Sequence, residues 1–256
     1  MSAAPALQIF ALPGLPMFKA GDDLAAALGD AIAATCPPVD GDVLVIAQKI
    51  VSKVEGRTVD LATVTPSAPA IALGAEIDKD PRLVEIILGE SDRVVRSRPN
   101  LMIMQHRLGF VMANAGVDQS NVAPEDGVER ALLLPADPDG SAEALRAALA
   151  ARFGVKLGVI INDSFGRAWR RGTCGVAIGA AGIPCLVDLR GTPDLFGRIL
   201  HVTVVGHADE IAAAASLVMG QAREGLPAVL VRGVVCDAPE NTARELARPA
   251  DEDLFR

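Results

Sequence analysis

The chain has 256 residues, half of them hydrophobic and only 3% aromatic, so it is one large domain or two small ones with an aliphatic core of Ala, Val, Leu and Ile. Its formal net charge of -8 argues against a nucleic-acid binder that draws affinity from a broad basic face; a phosphorylated small ligand would need a local basic pocket. Four cysteines lie far apart with no C-x-x-C pair, and three histidines show no regular spacing, so neither a zinc site nor a disulfide framework is indicated.

The apolar N-terminus lacks a basic region and is interrupted by Pro13 and Pro16. It reads as neither a signal peptide nor a membrane span, which makes the cytoplasm the default location. Leu7 to Leu12 reads as a strand, and Pro13-Gly14-Leu15-Pro16 as a rigid turn that exposes backbone groups. Asp22 and Asp23 open a helix from Leu24 to about Ala34, where acidic residues suit the positive end of the dipole. Val43 to Ala47 is a buried strand followed by Gln48 to Lys53; on a helix Lys49 and Lys53 would share a face, either simply solvated or meeting phosphates. Thr58 to Pro69 reads as a connection, and Arg82 to Gly89 as a helix. Val94-Val95, Leu101 to Met104 and Phe110 to Ala113 read as strands. The polar loop Asn114 to Asn121 carries Asp118; its side chains either hydrogen-bond their own backbone or supply oxygen ligands. Leu132 to Leu134 is a short strand, and Ser141 is the N-cap candidate for a helix from Ala142 to Phe153.

The stretch from Val155 to Gly172 concentrates the chemistry. An apolar run, Leu157 to Ile161, stops on Asn162-Asp163-Ser164, and Arg167, Arg170 and Arg171 follow. Val and Ile at that density favour a core strand, and Asp-Ser-x-Gly favours a loop, so a carboxylate and a hydroxyl surface beside guanidinium groups. Hard oxygen ligands hold magnesium or manganese, and Arg matches phosphate geometry; the plainer alternative is an Asp closing a turn next to solvated arginines. Beyond it come strand-like Gly175 to Gly182 and Ile183 to Asp188, a strand from Ile199 to Val205, and an Ala-rich helix from Asp209 to Met219. Gly220-Gln221 end that helix, Val229 to Val231 is the last strand, and the charged tail from Asp237 reads as a peripheral helix. Helices and strands mix without strict alternation, which predicts a mixed α/β, or α+β, fold rather than a Rossmann or P-loop fold. Neither G-x-x-x-x-G-K-[ST], nor G-x-G-x-x-G, nor G-x-S-x-G is present.

Nine stretches then carry a resemblance: Gly14 to Pro16, Gly21 to Leu24, Gly41 to Val45, Val51 to Arg57, Asn114 to Val122, Leu132 to Arg146, Gly158 to Gly172, His207 to Gly220 and Pro227 to Gly233. In this order the sequence resembles the coenzyme F-420-0:L-glutamate ligase family, the gamma-glutamyl ligases of the deazaflavin coenzyme. The resemblance implies a single catalytic unit over residues 1–256, with 237–256 as a peripheral tail, and an intertwined homodimer of mixed α/β fold. It also implies a GTP-dependent reaction in which the lactyl carboxylate of F-420-0 becomes an acyl phosphate that L-glutamate attacks, with further gamma-linked additions open. Magnesium or manganese, with potassium as a further ion, are the implied cofactors. By the same resemblance Asp118 and Asp163 match metal ligands, with Ser164 beside them. Asn121 and Lys53 match nucleotide contacts, and Pro13 to Pro16 and Met219 to Leu226 match GTP-binding loops. Gln221 stands where a relative carries an acidic metal ligand, and Gln48 and Lys49 replace small hydroxyl residues at a nucleotide contact. Arg167, grouped with the two aspartates as catalytic, and its neighbours Arg170 and Arg171 are candidates for substrate phosphate or carboxylate. Two other classes stand beside this one. A metal-dependent phosphohydrolase could use Asp163 as nucleophile, although Phe165 stands where that pattern wants a second Asp. The third is a non-catalytic binder on the same scaffold. No nucleic-acid or membrane partner is expected.

Overall fold

The computed structural model describes residues 6–120, 122, 127–249 and 251–254. Its strands, in chain order, are β1 (Gln8–Ala11), β2 (Val43–Ala47), β3 (Thr58–Asp60), β4 (Ser91–Arg98), β5 (Leu101–His106) and β6 (Val111–Ala113). They continue with β7 (Arg130–Leu132), β8 (Gly158–Gly166), β9 (Thr173–Ala181), β10 (Leu186–Asp188), β11 (Val204–Gly206) and β12 (Ala228–Arg232). The α-helices are α1 (Leu24–Thr35), α2 (Gln48–Val54), α3 (Ala68–Ile77), α4 (Pro81–Gly89), α5 (Pro138–Phe153) and α6 (His207–Met219).

A five-stranded mixed sheet in the order β1-β12-β2-β8-β9 forms the centre. Only the β2–β8 pair is parallel; the other three pairs are antiparallel. Strand geometry sends successive side chains to opposite faces, and here both faces are apolar. Leu44, Ile46, Val159, Ile161 and Leu230 meet α1, α2 and α5 on one side. Val43, Val45, Ile160, Val229 and Val231 meet α6 on the other. Covering both faces explains why β2, β8 and β12 read as continuous Val/Ile/Leu runs. A second core holds Leu61, Ile77, Val84, Ile87, Met102 and Met104 between α3, α4 and the β4-β5-β6 sheet. The class is therefore α+β, as the sequence predicts. No helix among the described residues is long and apolar enough to cross a membrane.

Several expectations change. The predicted connection from Thr58 to Pro69 contains β3 and leads straight into α3, which the sequence reading misses. Pro69 reads as a breaker, yet it lies in the first helical turn, where its missing N–H costs nothing. Ser67 caps that helix by accepting from the Ala70 amide, and it donates to Glu85 at 2.5 Å. Ser67→Ala is expected to cost about 1 kcal/mol, lowering Tm by roughly 2–4 °C in calorimetry. Ser141 is not the N-cap of α5; Asp137 is, accepting from the Gly140 amide, because Pro138 starts the helix earlier. Ser141 donates instead to Glu55 at 2.6 Å. β7 begins two residues before the predicted strand, and β11 keeps only the end of the predicted Ile199–Val205 strand. In the tail, one 3-10 turn, Ala243–Leu246, replaces the predicted helix.

The largest change concerns β8. It does not stop at Ile161: pairing with β9 continues through Asp163, Ser164 and Phe165 to Gly166, after a bulge at Ile161/Asn162. Asp163 and Ser164 are strand residues, not loop residues, and they point to opposite faces.

Candidate active site

The register gathers the chemistry at one end of the central sheet. Ala47 lies opposite Asn162, Asn162 opposite Ala177, and Ile46 opposite Ala228. The carboxyl ends of the parallel pair β2 and β8 thus share an edge with the start of β12 and with the turn after β1. That is the end at which open sheets bind ligands. The turn Pro13 to Pro16 leaves β1 here, with Gly14 in the left-handed region at φ 79° and Leu15 packed on the core. The segment from Met219 to Leu226 enters β12 at the same end.

Asp163 projects from β8 to the face covered by α2. Burial pushes its carboxyl up to about 6; the nearby Asp118 adds to the rise, while the Ser164 amide and the Lys49 ammonium oppose it. Asp118 arrives from the opposite part of the chain. Its backbone pairs with Leu132 in both directions, at 3.0 and 2.8 Å. Three successive left-handed residues, Asn114, Ala115 and Gly116, turn the chain into it. Two of them are not glycine, at about 1–2 kcal/mol each, and such stored strain concentrates at functional loops. Ser120 donates to Asp118 through its amide at 2.7 Å and its hydroxyl at 2.8 Å. Lys49, on the first turn of α2, places Nζ 2.6 Å from Asp118 Oδ2 and 2.6 Å from Ser120 Oγ. Burial raises the Asp118 carboxyl, but Lys49 and Ser120 together hold it below its ordinary range. Lys53, one turn further along α2, is lowered by burial and by Lys49.

Lys49, Lys53, Asp118 and Asp163 therefore share one neighbourhood. The other candidates divide. Gln48 is buried and accepts from Ser52 at 2.9 Å within α2, away from open space. Ser164 points to the α6 face and donates to Gln221 at 2.6 Å, just past the Gly220 cap of that helix. Met219 is buried, and its sulfur accepts from Asn162. Arg167 stays with the hairpin tip: β8 runs three more residues beyond Asp163, about 10 Å, before the turn. Its guanidinium donates to the carbonyls of Arg171 and Gly172, so the structure does not bring this predicted catalytic residue to the carboxylates. Arg170 and Arg171 are exposed on the same tip. Asn121 lies outside the described residues.

Three residues lie in stretches the sequence reading names but are given no role of their own there. Ser120 joins the Asp118 cluster, and the Asp-x-Ser spacing, able to close a side-chain turn, was its signal. Asn162 is buried with Oδ1 unpartnered among the described residues; a polar residue directly after an apolar run could have marked it. Glu224 folds back over Gly220 and accepts from the Ala222 amide at 2.8 Å. Nothing short of the loop conformation reveals that.

Among the described residues no group of three or more His, Cys, Asp or Glu could enclose a metal. Two carboxylates with a neighbouring hydroxyl still fit magnesium or manganese, which commonly take one or two carboxylates and leave the other positions to water and substrate phosphates.

A mixed sheet that ends in two aspartates and two lysines, one aspartate carried by a strained loop, has the makings of an α+β enzyme. The chain belongs to the F420-0:Gamma-glutamyl ligase family, whose model matches residues 14–233. It is 45% identical to the coenzyme F420:L-glutamate ligase of Methanothermobacter thermautotrophicus over 253 residues, 98% of this chain and 99% of that one. The same-named proteins of Methanopyrus kandleri and Archaeoglobus fulgidus are 45% and 44% identical. They cover 100% and 98% of this chain, and 100% and 96% of their own.

Proposed function

We propose that this protein joins L-glutamate to the carboxylate of coenzyme F-420-0 at the expense of GTP. The observation that carries the reading is the ion pair of Lys49 with Asp118 at the carboxyl end of β2 and β8, near enough to Asp163 for both charges to act on its carboxyl, in a chain that matches a coenzyme F420:L-glutamate ligase over 98% of its length.

A carboxylate is a poor electrophile. In this reading an oxygen of the lactyl carboxylate takes the γ-phosphoryl group and GDP leaves. The glutamate amine then attacks the acyl carbon, inorganic phosphate departs, and the amine loses a proton to give the amide. Phosphoryl transfer asks little covalent help of a protein; it asks for positioning and for charge around crowded anions. Asp118 and Asp163 would hold magnesium or manganese, which would neutralise phosphate charge there. Lys53, the turn Pro13 to Pro16 and the segment Met219 to Leu226 would place the nucleotide, with Gln221 and Ser164 at its rim. Two copies of the chain are part of the reading: Leu195, Phe196 and Val202 are 99%, 96% and 87% exposed, which suits burial against a second copy.

Incubating the protein with GTP, Mn2+, F-420-0 and L-glutamate should add glutamyl mass to F-420-0, with GDP release that needs both acceptor and amino acid. Phosphate release from unrelated esters, without glutamyl addition, would favour the hydrolase instead. Divalent-ion affinity should weaken below about pH 6, since the proton on Asp163 competes with the ion. Calorimetric titration of Mn2+ at pH 5 and pH 7.5 checks this; equal affinities would remove Asp163 from the site.

A further inference from the structure

Two hollows, of about 280 and 430 Å3, adjoin at the open edge of β9. Phe110, Val111, Phe165 and Val176 line the first; Arg107, Arg244 and Arg248 line the second; Gly109 and Ala247 line both. Together they make one cleft of small-molecule size. Its apolar end borders Asp163. Val176 stands opposite Asp163 in the β8–β9 register, and directly opposite residues share a face. Phe165, two positions further along β8, shares that face as well. The apolar hollow therefore begins about 5–7 Å from Asp163 along the sheet.

One wall comes from the last stretch of the chain, beyond residue 233 where the family match ends. That stretch is docked before it reaches the cleft. Asn241 accepts from the Cys185 amide at 2.7 Å and the Leu186 amide at 3.0 Å, and donates to the Leu186 carbonyl at 2.9 Å. The Ala243 amide donates to Asp139 at 3.0 Å, and Leu246 packs on the core under α6. Ala247 then reaches Gly109, where an added Cβ would stand 3.4 Å from its own, so tail and β5–β6 turn touch.

The two ends differ in charge. Arg107 is engaged by Glu90 at 3.1 Å. Arg244 and Arg248 are exposed and have no carboxylate at ion-pair distance among the described residues. In a chain of net charge -8, two such guanidiniums lining one hollow are placed for an anion. The apolar hollow instead carries Asp209 and Asp253 on its wall, which repel an anion, and Asp209 is already taken by the Ala177 amide at 2.9 Å.

We infer that this cleft binds a ligand with a flat apolar body and an anionic group, the body against Phe165 and Val176 and the anion on Arg244 and Arg248. This rests on the proposed function, in which the deazaflavin acceptor is the substrate with that chemistry. L-Glutamate has no flat body, and the nucleotide falls to Lys53 and the turn Pro13 to Pro16. The cleft holds the acceptor while its carboxylate faces Asp163. The tail, peripheral by sequence, thereby becomes a wall of the substrate site, with Arg244 and Arg248 as binding residues.

The test is calorimetric titration of F-420-0 into the full-length chain: wild type, the pair Arg244→Gln/Arg248→Gln, and the pair Arg244→Lys/Arg248→Lys. Both positions are exposed, so equal melting temperatures are expected. The glutamine pair should bind F-420-0 at least about tenfold more weakly, and the lysine pair, which keeps the charge, should lose less. Affinities for GTP and L-glutamate should not change. Added salt should narrow the gap between wild type and the glutamine pair, because the contact is ionic. Val111→Asp, which adds a carboxylate to the apolar hollow from the edge strand β6, should weaken F-420-0 too and serves if the arginine variants do not fold. Equal F-420-0 affinity in wild type and variants, or no uptake by wild type, would overturn the inference. So would a loss confined to GTP or L-glutamate, which gives the arginines to another anion. Binding is read apart from turnover, so the two ideas fail separately. Arginine-dependent binding of F-420-0 without glutamyl addition defeats only the ligase reading. Glutamyl addition with unchanged F-420-0 affinity in the glutamine pair defeats only this one.

Discussion

Replacing Asp163 by Asn is expected to lower turnover on the order of a thousandfold while making the metal-free chain more stable at neutral pH. The two effects share one cause. β8 carries Asp163 in register between the core residue Ile161 and Phe165, whose ring meets Phe110 edge-on at 5.9 Å. That placement takes the carboxylate out of water and pushes its pKa to about 6. The unfolded value is about 3.9, so the folded protein binds this proton more tightly. For an acid raised on folding, stability is greatest below about pH 4, falls as the pH rises to about 6, and is flat above. At pH 7 the penalty is fully present, about 1–2 kcal/mol once residual solvent screening is allowed for. Asparagine has nearly the same shape and no charge to desolvate. The variant should therefore melt roughly 2–4 °C higher at pH 7.5 and at the wild-type temperature near pH 4. Added Mn2+ should stabilise wild type and leave the variant unchanged. Wild-type turnover in Asp163→Asn, or a lower melting temperature at pH 7.5, would show that the carboxylate serves structure and not chemistry.

Much of the fold is legible in the sequence because both sheet faces are buried. Runs such as Val43 to Ile46 and Val229 to Val231 leave no other place to go, and Asp23 and Gly220 mark their helix ends as expected. The errors arise where a local signal has two meanings. Pro69 signals a break in a loop and a start in a first helical turn. Asn162-Asp163-Ser164 looks like the end of a strand, since those residues favour turns, yet β9 supplies backbone partners through Gly166 and overrides that preference. The same error separates Asp163 from Ser164: in a loop both could face one ion, whereas the pleat sends them to opposite sides. The meeting of Lys49 with Ser120 crosses 71 residues, and that of Lys49 with Asp118 depends on the Leu132 bridge, which no local pattern announces. The resemblance assigns Asp118 to a metal and Lys49 to a nucleotide contact, and does not announce their ion pair either.

Glu90→Gln is expected to destabilise the protein by about 2–3 kcal/mol at pH 7. Glu90 closes α4 and lies where the second core meets the central sheet. It accepts from Arg57 at 2.8 Å and Arg107 at 3.1 Å, and the buried His106 imidazole stands 3.5 Å away. Arg57 spans the junction, donating also to the Leu134 carbonyl at 2.9 Å. Burial alone would raise the Glu90 carboxyl; His106 and the two guanidiniums reverse that and lower it from 4.5 to about 2. Since the group is depressed on folding, its contribution is present above about pH 4.5 and disappears as the pH falls toward 2. The fall from 4.5 to about 2 corresponds to roughly 3 kcal/mol before solvent screening, which brings the expected loss to about 2–3 kcal/mol. Glutamine keeps an acceptor for one arginine but no charge, leaving two cations facing each other across a buried amide. Urea unfolding should show the full loss at pH 7 and a shrinking difference between wild type and variant from pH 4.5 downward. Adding Arg57→Met to Glu90→Gln should restore part of the loss, because a buried charge without its partner is costlier than neither. Additive losses in that double variant would mean that Glu90 and Arg57 stabilise the junction independently and not as a pair.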